Sequence, residues 1–379
     1  EKTKLLEDKL SDRLHEELTK TFIDKRASVL ARGLKQDMKF ETKILKNNEV
    51  IIDGQFIGKI NGLKLELDLK KGALETDIKS LKKAARQTVG PELERRIEII
   101  IETSLIELDD DFKIYWEKSP IGKLITGRDY LNPKIELLVD DILEQSLRKK
   151  LIIFLEKWLK NKIDTILKSL VDLKDLKEKN SSVKALAYQL YENNGVLKRD
   201  QVSEYLKNLG QNERKTLRDL GVRFGRYHVF LYKLIKPDAV SLRTLLWKNY
   251  HQKYFNLKPP TFGLNFLDNN KLKNRNFMLL CGFEKFESFY VRIDILERLF
   301  MQIINSKNNK EIKMMPEMLN LLGCNKENFK KLLKNMDYKV TEKNEEVFFK
   351  YNPGKKFKKL DNKTLKESPF GVLKNLNLN

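Results

Sequence analysis

The stretch that decides the fold is residues 221–247, GVRFGRYHVFLYKLIKPDAVSLRTLLW. Three helical segments precede it between residues 182 and 220, because apolar positions recur there at helical spacing. Residues 222–232 then favour extended strands. Three helices followed by a β-rich segment is the element order of a winged helix-turn-helix. We therefore predict a winged-helix-like domain over residues 181–256.

A second run of similar signals lies near the C-terminus. Asp294 stands before an apolar helical pattern and Glu297 follows three residues later, which is the arrangement of a capping box. Two further helices and two strands follow, and the strands resemble a wing. This order predicts a second winged-helix-like domain over residues 277–352.

The N-terminal half contains an internal repeat at a spacing of 64 residues. Short alternating strands joined by tight turns occupy 50–67 and again 112–138, and a helix follows each copy. We predict β-hairpin-plus-helix units at 41–108 and 109–176. The predicted fold class is therefore α+β and mainly α, with duplicated β-hairpin-plus-helix units followed by two winged-helix-like domains.

The two ends of the chain have their own patterns. Residues 1–40 carry leucines at helical spacing among charged residues, which predicts an amphipathic N-terminal docking helix. Residues 353–379 are rich in lysine and poor in apolar residues, which predicts a basic tail.

The composition is that of a folded protein with a polyanionic partner. Charged residues make up 34% of the 379 residues and hydrophobic residues 41%, and the net charge is +21. Such a charge favours nucleic acid. No apolar run approaches the ~18 residues of a spanning helix, so we expect no membrane partner. The cysteines, Cys281 and Cys324, lack metal-ligand spacing, and we expect buried thiols and a cytoplasmic location.

Arginines are concentrated around residues 221–247. Lysine and arginine total 75, only 17 of these are arginine, and five of the 17 lie within thirty positions. Arginine kept in a lysine-rich background indicates a need for guanidinium, which binds phosphates in a bidentate way and stacks on rings. Aromatic residues alternate with these arginines, as in nucleic-acid contact surfaces. The predicted contacts are Arg214, Arg218, Arg223, Arg226, Tyr227, His228 and Arg243.

The alternative is that these arginines are structural and pair with Asp219, Asp238 and other nearby carboxylates. The interleaved aromatics and the scarcity of local acids favour nucleic-acid contact. We expect recognition of backbone and shape, with bases stacked on Tyr227 or Phe224.

The predicted helix at 326–336 has one apolar face and one basic face. Phe329, Leu332, Leu333 and Met336 recur at helical spacing. In a winged helix, the opposite face would meet a phosphate backbone. The predicted contacts there are Lys326, Lys330, Lys331 and Lys334.

Catalytic and metal motifs are not recognisable in the sequence. Residues 54–60 fail as a phosphate loop, because three residues separate the glycines and Ile60 stands where Ser or Thr must hold Mg²⁺. The aspartate runs and the three histidines lack ligand spacing. We predict no catalytic residues and no metal in this chain.

Several segments resemble one family. Residues 221–247 are similar to a segment of the C-terminal, non-motor region of alphaproteobacterial relatives of the mitochondrial degradosome-type DExH RNA helicases. Residues 14–19, 24–30, 57–63, 321–324 and 368–370 match other segments of that region in the same order. The resemblance covers nearly the whole chain, although the helicase motor motifs are missing from it.

The resemblance implies an accessory region of an ATP-dependent RNA helicase that acts in RNA unwinding or decay. ATP and Mg²⁺ would belong to motor domains in cis, and a ribonuclease could be a partner. Two alternatives stay open, a free-standing winged-helix DNA-binding regulator and a protein-interaction scaffold of an RNA-degradation complex. A scaffold would keep its partners in high salt, whereas RNA association would be lost.

Overall fold

The structure is a computed structural model that describes residues 10–11, 41–52, 54–68, 75–174, 176, 180–268, 274–305, 311–343 and 346–352. The predicted docking helix at 1–40, apart from residues 10 and 11, and the predicted basic tail at 353–379 lie outside the described residues. None of the described helices combines the length and the apolarity needed to cross a membrane. The chain has the predicted α+β class and is mainly α.

The chain divides into two compact units. The first contains residues 1–168 and 242–257, and the second contains 169–241 and 258–379. Both copies of the predicted repeat lie in the first unit. Residues 242–257, which the sequence grouped with the domain at 181–256, also belong to the first unit.

The first unit contains two four-stranded antiparallel sheets, each with its strands in chain order. The first sheet is β1 (Thr42–Ile44), β2 (Glu49–Ile52), β3 (Gln55–Asn61) and β4 (Lys64–Leu67), and the second is β5 (Ile106–Leu108), β6 (Lys113–Trp116), β7 (Ser119–Ile125) and β8 (Lys134–Leu137). Val50 pairs with Gly58, and Ile114 pairs with Gly122, each 64 positions later. A register shift follows that pair in both sheets. The predicted duplication is thus confirmed.

Two long helices accompany these sheets, α1 (Glu75–Thr103) and α2 (Gln145–Ile166). Gly90 and Pro91 are residue types that break helices, but α1 is continuous through them. A proline inside a helix costs about 3 kcal/mol. Buried residues recur at helical spacing on both sides of Pro91, and this burial offsets the cost; they are Ala85, Val89, Leu93, Ile97 and Ile100.

One buried carboxylate joins the two copies of the repeat. Asp140, after β8, accepts hydrogen bonds from the backbone N–H of Leu65 at 3.3 Å and from Lys82 Nζ at 3.1 Å. The Asp140 N–H donates to the Leu63 carbonyl oxygen at 3.1 Å. Because Leu63 and Leu65 belong to the first copy, Asp140 fastens the second copy to it.

The second unit contains three small antiparallel sheets of one topology. In each sheet the strand that comes third in the chain lies in the middle. The strands are β9 (Val196–Lys198), β10 (Val222–Phe224) and β11 (His228–Leu231), then β12 (Phe266–Asp268), β13 (Phe283–Lys285) and β14 (Phe289–Arg292), then β15 (Ile312–Lys313), β16 (Tyr338–Lys343) and β17 (Glu346–Tyr351). The sequence had predicted two such modules, not three. Their winged-helix interpretation stays a prediction.

Helices precede and separate the strands of these modules, and the helix at 237–251 continues into the first unit. They are α3 (Lys168–Lys174), α4 (Ser181–Glu192), α5 (Ser203–Lys207), α6 (Gln211–Asp219), α7 (Pro237–His251), α8 (Arg275–Leu280), α9 (Ile293–Asn305), α10 (Pro316–Leu322) and α11 (Lys326–Asn335). Helix α9 buries Leu296, Leu299 and Phe300 in a core shared with α11 and β17. Asn325 caps α11, because its side chain accepts a hydrogen bond from the Asn328 N–H at 2.8 Å.

The predicted capping box at Asp294 is wrong. The Asp294 carboxylate is bound by Arg292, with Nε at 2.7 Å. The Glu297 side chain does not turn back to the start of its own helix; it hydrogen-bonds to a turn about seventy residues earlier in the chain. That turn carries three of the predicted contact residues, Arg226, Tyr227 and His228.

Candidate nucleic-acid interface

The turn between β10 and β11, residues 224–228, is built around the carboxylate of Glu297. This carboxylate, on α9, accepts hydrogen bonds from the backbone N–H groups of Arg226, of Tyr227 at 2.9 Å and of His228 at 2.7 Å. A Cβ atom at Gly225 would overlap the same carboxylate. Residue 225 must therefore be glycine for the backbone to come this close.

His228 lies inside this turn between two carboxylates. Its ring is 3% exposed, with Nδ1 3.0 Å from Glu297 Oε1 and Nε2 3.3 Å from Glu284 Oε2. Burial lowers the pKa of His228, but the hydrogen bonds and negative charges of Glu284 and Glu297 outweigh burial and raise that pKa. The predicted RNA contact at His228 is wrong, because its ring is buried and used within the protein.

Glu284 extends this network toward the surface. Its Oε1 lies 3.0 Å from Lys198 Nζ and 3.3 Å from an Nη atom of Arg275. Burial raises the pKa of Glu284, whereas His228 and Lys198 lower it more strongly, to about 2. The Glu284 carboxylate is therefore ionised and neutralised by its neighbours at physiological pH.

Tyr227 and Arg226 differ in exposure although they are adjacent. The Tyr227 ring packs edge-on against Phe300 at 4.9 Å, and its hydroxyl donates to the Met336 carbonyl oxygen at 3.4 Å. The Tyr227 ring thus belongs to the core and does not provide the stacking surface that was predicted. Arg226 is exposed, and its guanidinium lies 5.5 Å from the centre of the Tyr351 ring.

Beside the turn is an open pocket of about 530 Å³, which we call the arginine groove. Its lining includes Arg218, Arg223, Phe224, Tyr232 and Arg298. The Arg218 guanidinium lies 5.9 Å from the centre of the Phe224 ring. Tyr232 is 45% exposed. Cations and rings therefore share one concave surface, as contact with single-stranded nucleic acid requires.

The arginines of this groove are available to a ligand. Within the described part of the chain, no carboxylate lies within ion-pair distance of Arg218, Arg223 or Arg298. The alternative reading, that these arginines pair with Asp219 or Asp238, therefore does not apply to them. Arg292 also lines the groove, but Asp294 holds it at 2.7 Å.

Two of the predicted arginines have structural positions. Arg214 is half-buried and donates to the carbonyl oxygens of Leu206 at 2.7 Å and Leu209 at 3.2 Å, which fixes the connection before α6. Arg243, on α7, is 0% exposed. Arg243 is thus a correction to the predicted contacts, because a fully buried guanidinium cannot meet an external phosphate.

Helix α11 has the predicted apolar and basic faces. Phe329, Leu332 and Leu333 are buried, as predicted. Lys326, Lys331 and Lys334 are exposed on the same helix. Lys330 differs from them, because Glu327 at 2.9 Å and Glu342 at 2.6 Å hold its amine.

A second open pocket, of about 800 Å³, lies on the other side of the turn, and we call it the turn pocket. Arg226, Arg275, Glu284 and Tyr351 contribute to its lining. Basic and acidic side chains line it in similar numbers, whereas four arginines line the arginine groove against two carboxylates, Asp294 and Glu297. In the described ranges no group of three or more histidine, cysteine or acidic side chains is placed to hold a metal ion.

Sequence reasoning missed Arg298, Tyr232 and Glu297 as site residues. Arg298 had the same signal that identified the others, an arginine kept among lysines. Tyr232 was noted among the interleaved aromatics without being assigned to the site. Glu297 had no local signal, since its partners are distant in the chain.

Comparison with known proteins gives little. No family model matches the chain, and no solved structure matches it significantly. Uncharacterized protein MJ1060 of Methanocaldococcus jannaschii is similar, with 27% identity over 206 positions. The match covers 45% of this chain and 34% of the relative, so the chain spans about a third of that protein.

Proposed function

We propose that this chain is the RNA-binding accessory region of an ATP-dependent RNA helicase. In this proposal the ATP and Mg²⁺ sites belong to motor domains in cis, and a ribonuclease is a further partner. The observation that carries RNA binding is the arginine groove, where Arg218, Arg223 and Arg298 have no carboxylate partner among the described residues.

The chemistry of the groove supports a nucleic-acid ligand over an acidic protein. Guanidinium groups bind phosphate oxygens by paired hydrogen bonds, and exposed rings stack on bases. Tyr232, which is 45% exposed, supplies such a ring, and the half-buried Phe224 lies in the same groove. The net charge of +21 adds a general attraction for polyanions.

One further observation supports the helicase part of the proposal, and another supports its winged-helix interpretation. One is the resemblance of residues 221–247 and the other segments to the non-motor region of that family. The other is the shared topology of the three sheets in the second unit, with the third strand central, which is the sheet order of winged-helix domains.

The experiment is equilibrium binding of the chain to fluorescent oligouridine over a range of salt concentrations. We expect binding at low salt that weakens steeply, because about 0.7 counterions per phosphate contact are released from a single strand. Arg218→Glu with Arg223→Glu should weaken binding at least about tenfold and reduce the slope of log K against log salt by about 1.4.

The matched control is Lys118→Glu with Lys134→Glu, an identical charge change at exposed lysines in the first unit. Equal loss in both variants would mean that binding depends only on net charge, and the groove assignment would be wrong. Preference for duplex DNA of one sequence in competition would favour the regulator alternative instead.

A further inference from the structure

We infer that a single RNA strand crosses the turn between β10 and β11 and is held at two stations. The first station is the arginine groove, with Arg223 and Tyr232. The second is the edge of the turn pocket formed by Arg226 and Tyr351. This inference rests on the proposed function and adds the path of the strand across the turn.

The two pockets meet at one peptide bond. Gly225 lines the arginine groove, and Arg226, the next residue, lines the turn pocket. Consecutive Cα atoms are about 3.8 Å apart, so only the thickness of the turn separates the pockets. Arg223 and Arg226 are three residues apart, at most about 11 Å between their Cα atoms. Adjacent phosphates of one strand can reach both.

The turn is held in place because its backbone groups already form hydrogen bonds within the protein. The N–H groups of Arg226, Tyr227 and His228 donate to Glu297, and the Gly225 N–H donates to the His228 carbonyl oxygen. Arg199 donates to the Gly225 carbonyl oxygen at 2.6 Å. A strand that crosses the turn therefore contacts side chains, and these are fixed in position before it binds.

Each station combines a free cation with an exposed ring. Tyr232 is 45% exposed at the first station, and Tyr351 is 41% exposed at the second. The Arg226 guanidinium lies 5.5 Å from the centre of the Tyr351 ring, and no carboxylate of the described chain is within ion-pair distance of Arg226. Rings can stack only on bases that are free of a duplex, so the ligand is a single strand.

The acidic side chains of the turn pocket limit the second station to the edge formed by Arg226 and Tyr351. Glu284 is neutralised by His228, Lys198 and Arg275. Asp200 and Asp337 also line the pocket and repel phosphates. The strand therefore touches the pocket at Arg226 and Tyr351 and does not fill it.

The test measures affinity against oligouridine length, from two to twelve nucleotides, for the full chain. We expect wild-type affinity to increase about tenfold at the length that first reaches both stations, which is the usual size of one base-stacking contact. Arg226→Gln and Tyr351→Ala should each reduce that increase and leave the shortest bound oligomers unaffected. Tyr232→Ala should weaken binding at every length.

The outcomes separate this inference from the function on which it rests. If Arg226→Gln and Tyr351→Ala bind every length as wild type does, while Arg218→Glu with Arg223→Glu loses binding, the two-station path is wrong and RNA binding stands. If wild type binds no oligomer, both fall. Equal affinity for a duplex of the same length would also overturn the inference. Thermal melting of each variant shows that the fold is intact.

Discussion

Buried charge has different uses in the two compact units. In the first unit, Asp140 joins the two copies of a repeat, and Arg96 fixes α1 to the first sheet by donating to the Gly62 carbonyl oxygen. In the second unit, Glu297 and His228 hold a turn that leaves Arg223 and Arg226 exposed. In the first unit, the buried charges form hydrogen bonds within the protein. In the second unit, the buried charges hold a turn whose arginines stay available to a ligand. We therefore expect the ligand-binding site in the second unit.

The largest effect should come from removing the central carboxylate of either unit. Glu297→Ala leaves three backbone N–H groups and Nδ1 of His228 without their partner, and we expect a loss of about 3–5 kcal/mol of unfolding free energy. Asp140→Ala removes the link between the repeats and should cost about 2–3 kcal/mol. Denaturant unfolding gives both values.

Hydrogen exchange of the backbone N–H groups tests whether each carboxylate stabilises only its own unit. Glu297→Ala should increase exchange at residues 222–231 and spare the sheets at 42–67 and 106–137, and Asp140→Ala should do the reverse. Equal loosening of both units by both variants would contradict separate roles for the two carboxylates.

A smaller effect is expected on the pH dependence of the unfolding free energy of the second unit. The folded pKa of His228 lies above 6.5, so its stabilisation is complete below that pH and is lost as pH rises through the folded value. The folded pKa of Glu284 is about 2, so its stabilisation is complete above about 4.5 and is lost as pH falls toward 2.

Both contributions are therefore complete between about pH 4.5 and 6.5. The free energy of unfolding in urea should be highest in that pH window. The backbone N–H groups of residues 226–228 should also be most protected from hydrogen exchange there. His228→Gln should remove the loss of protection on its alkaline side. A profile that is unchanged by His228→Gln would show that this network does not respond to pH.

The smallest effect is expected at α11. Lys331→Glu with Lys334→Glu removes two exposed lysines, and exposed charges are each worth about 0–1 kcal/mol. We expect oligouridine affinity to decrease about threefold, much less than for the matched change at Arg218 and Arg223. A larger decrease at α11 than at the arginines would move the main contact to that helix.

The repeat and the fold class were predictable because they depend on local patterns. Strand alternation recurs in the two copies, where Gly58 and Gly122 occupy equivalent positions within β3 and β7, and both sheets follow from this pattern. The middle sheet of the second unit was missed. Its strands are only three or four residues long, and β12 is separated from β13 by a helix.

The site was predictable only in part, because exposure depends on tertiary packing. Arg243 lies in α7, where residues 242–249 are all buried, so the helix has no exposed face there. All four residues of β11 are buried as well, and His228 is one of them. Arg218, Arg223 and Arg226 are exposed, as the predicted contacts require, whereas the role of Glu297 depends on a contact across about seventy residues.

The occupied backbone of the turn has a consequence for protein engineering. The N–H groups of residues 225–228 all donate within the protein, so the loop keeps its shape without help from the side chains at 223 and 226. Those two positions can therefore be randomised in a display library while the scaffold stays constant. Selection from such a library would yield variants with new ligand preferences on an unchanged frame.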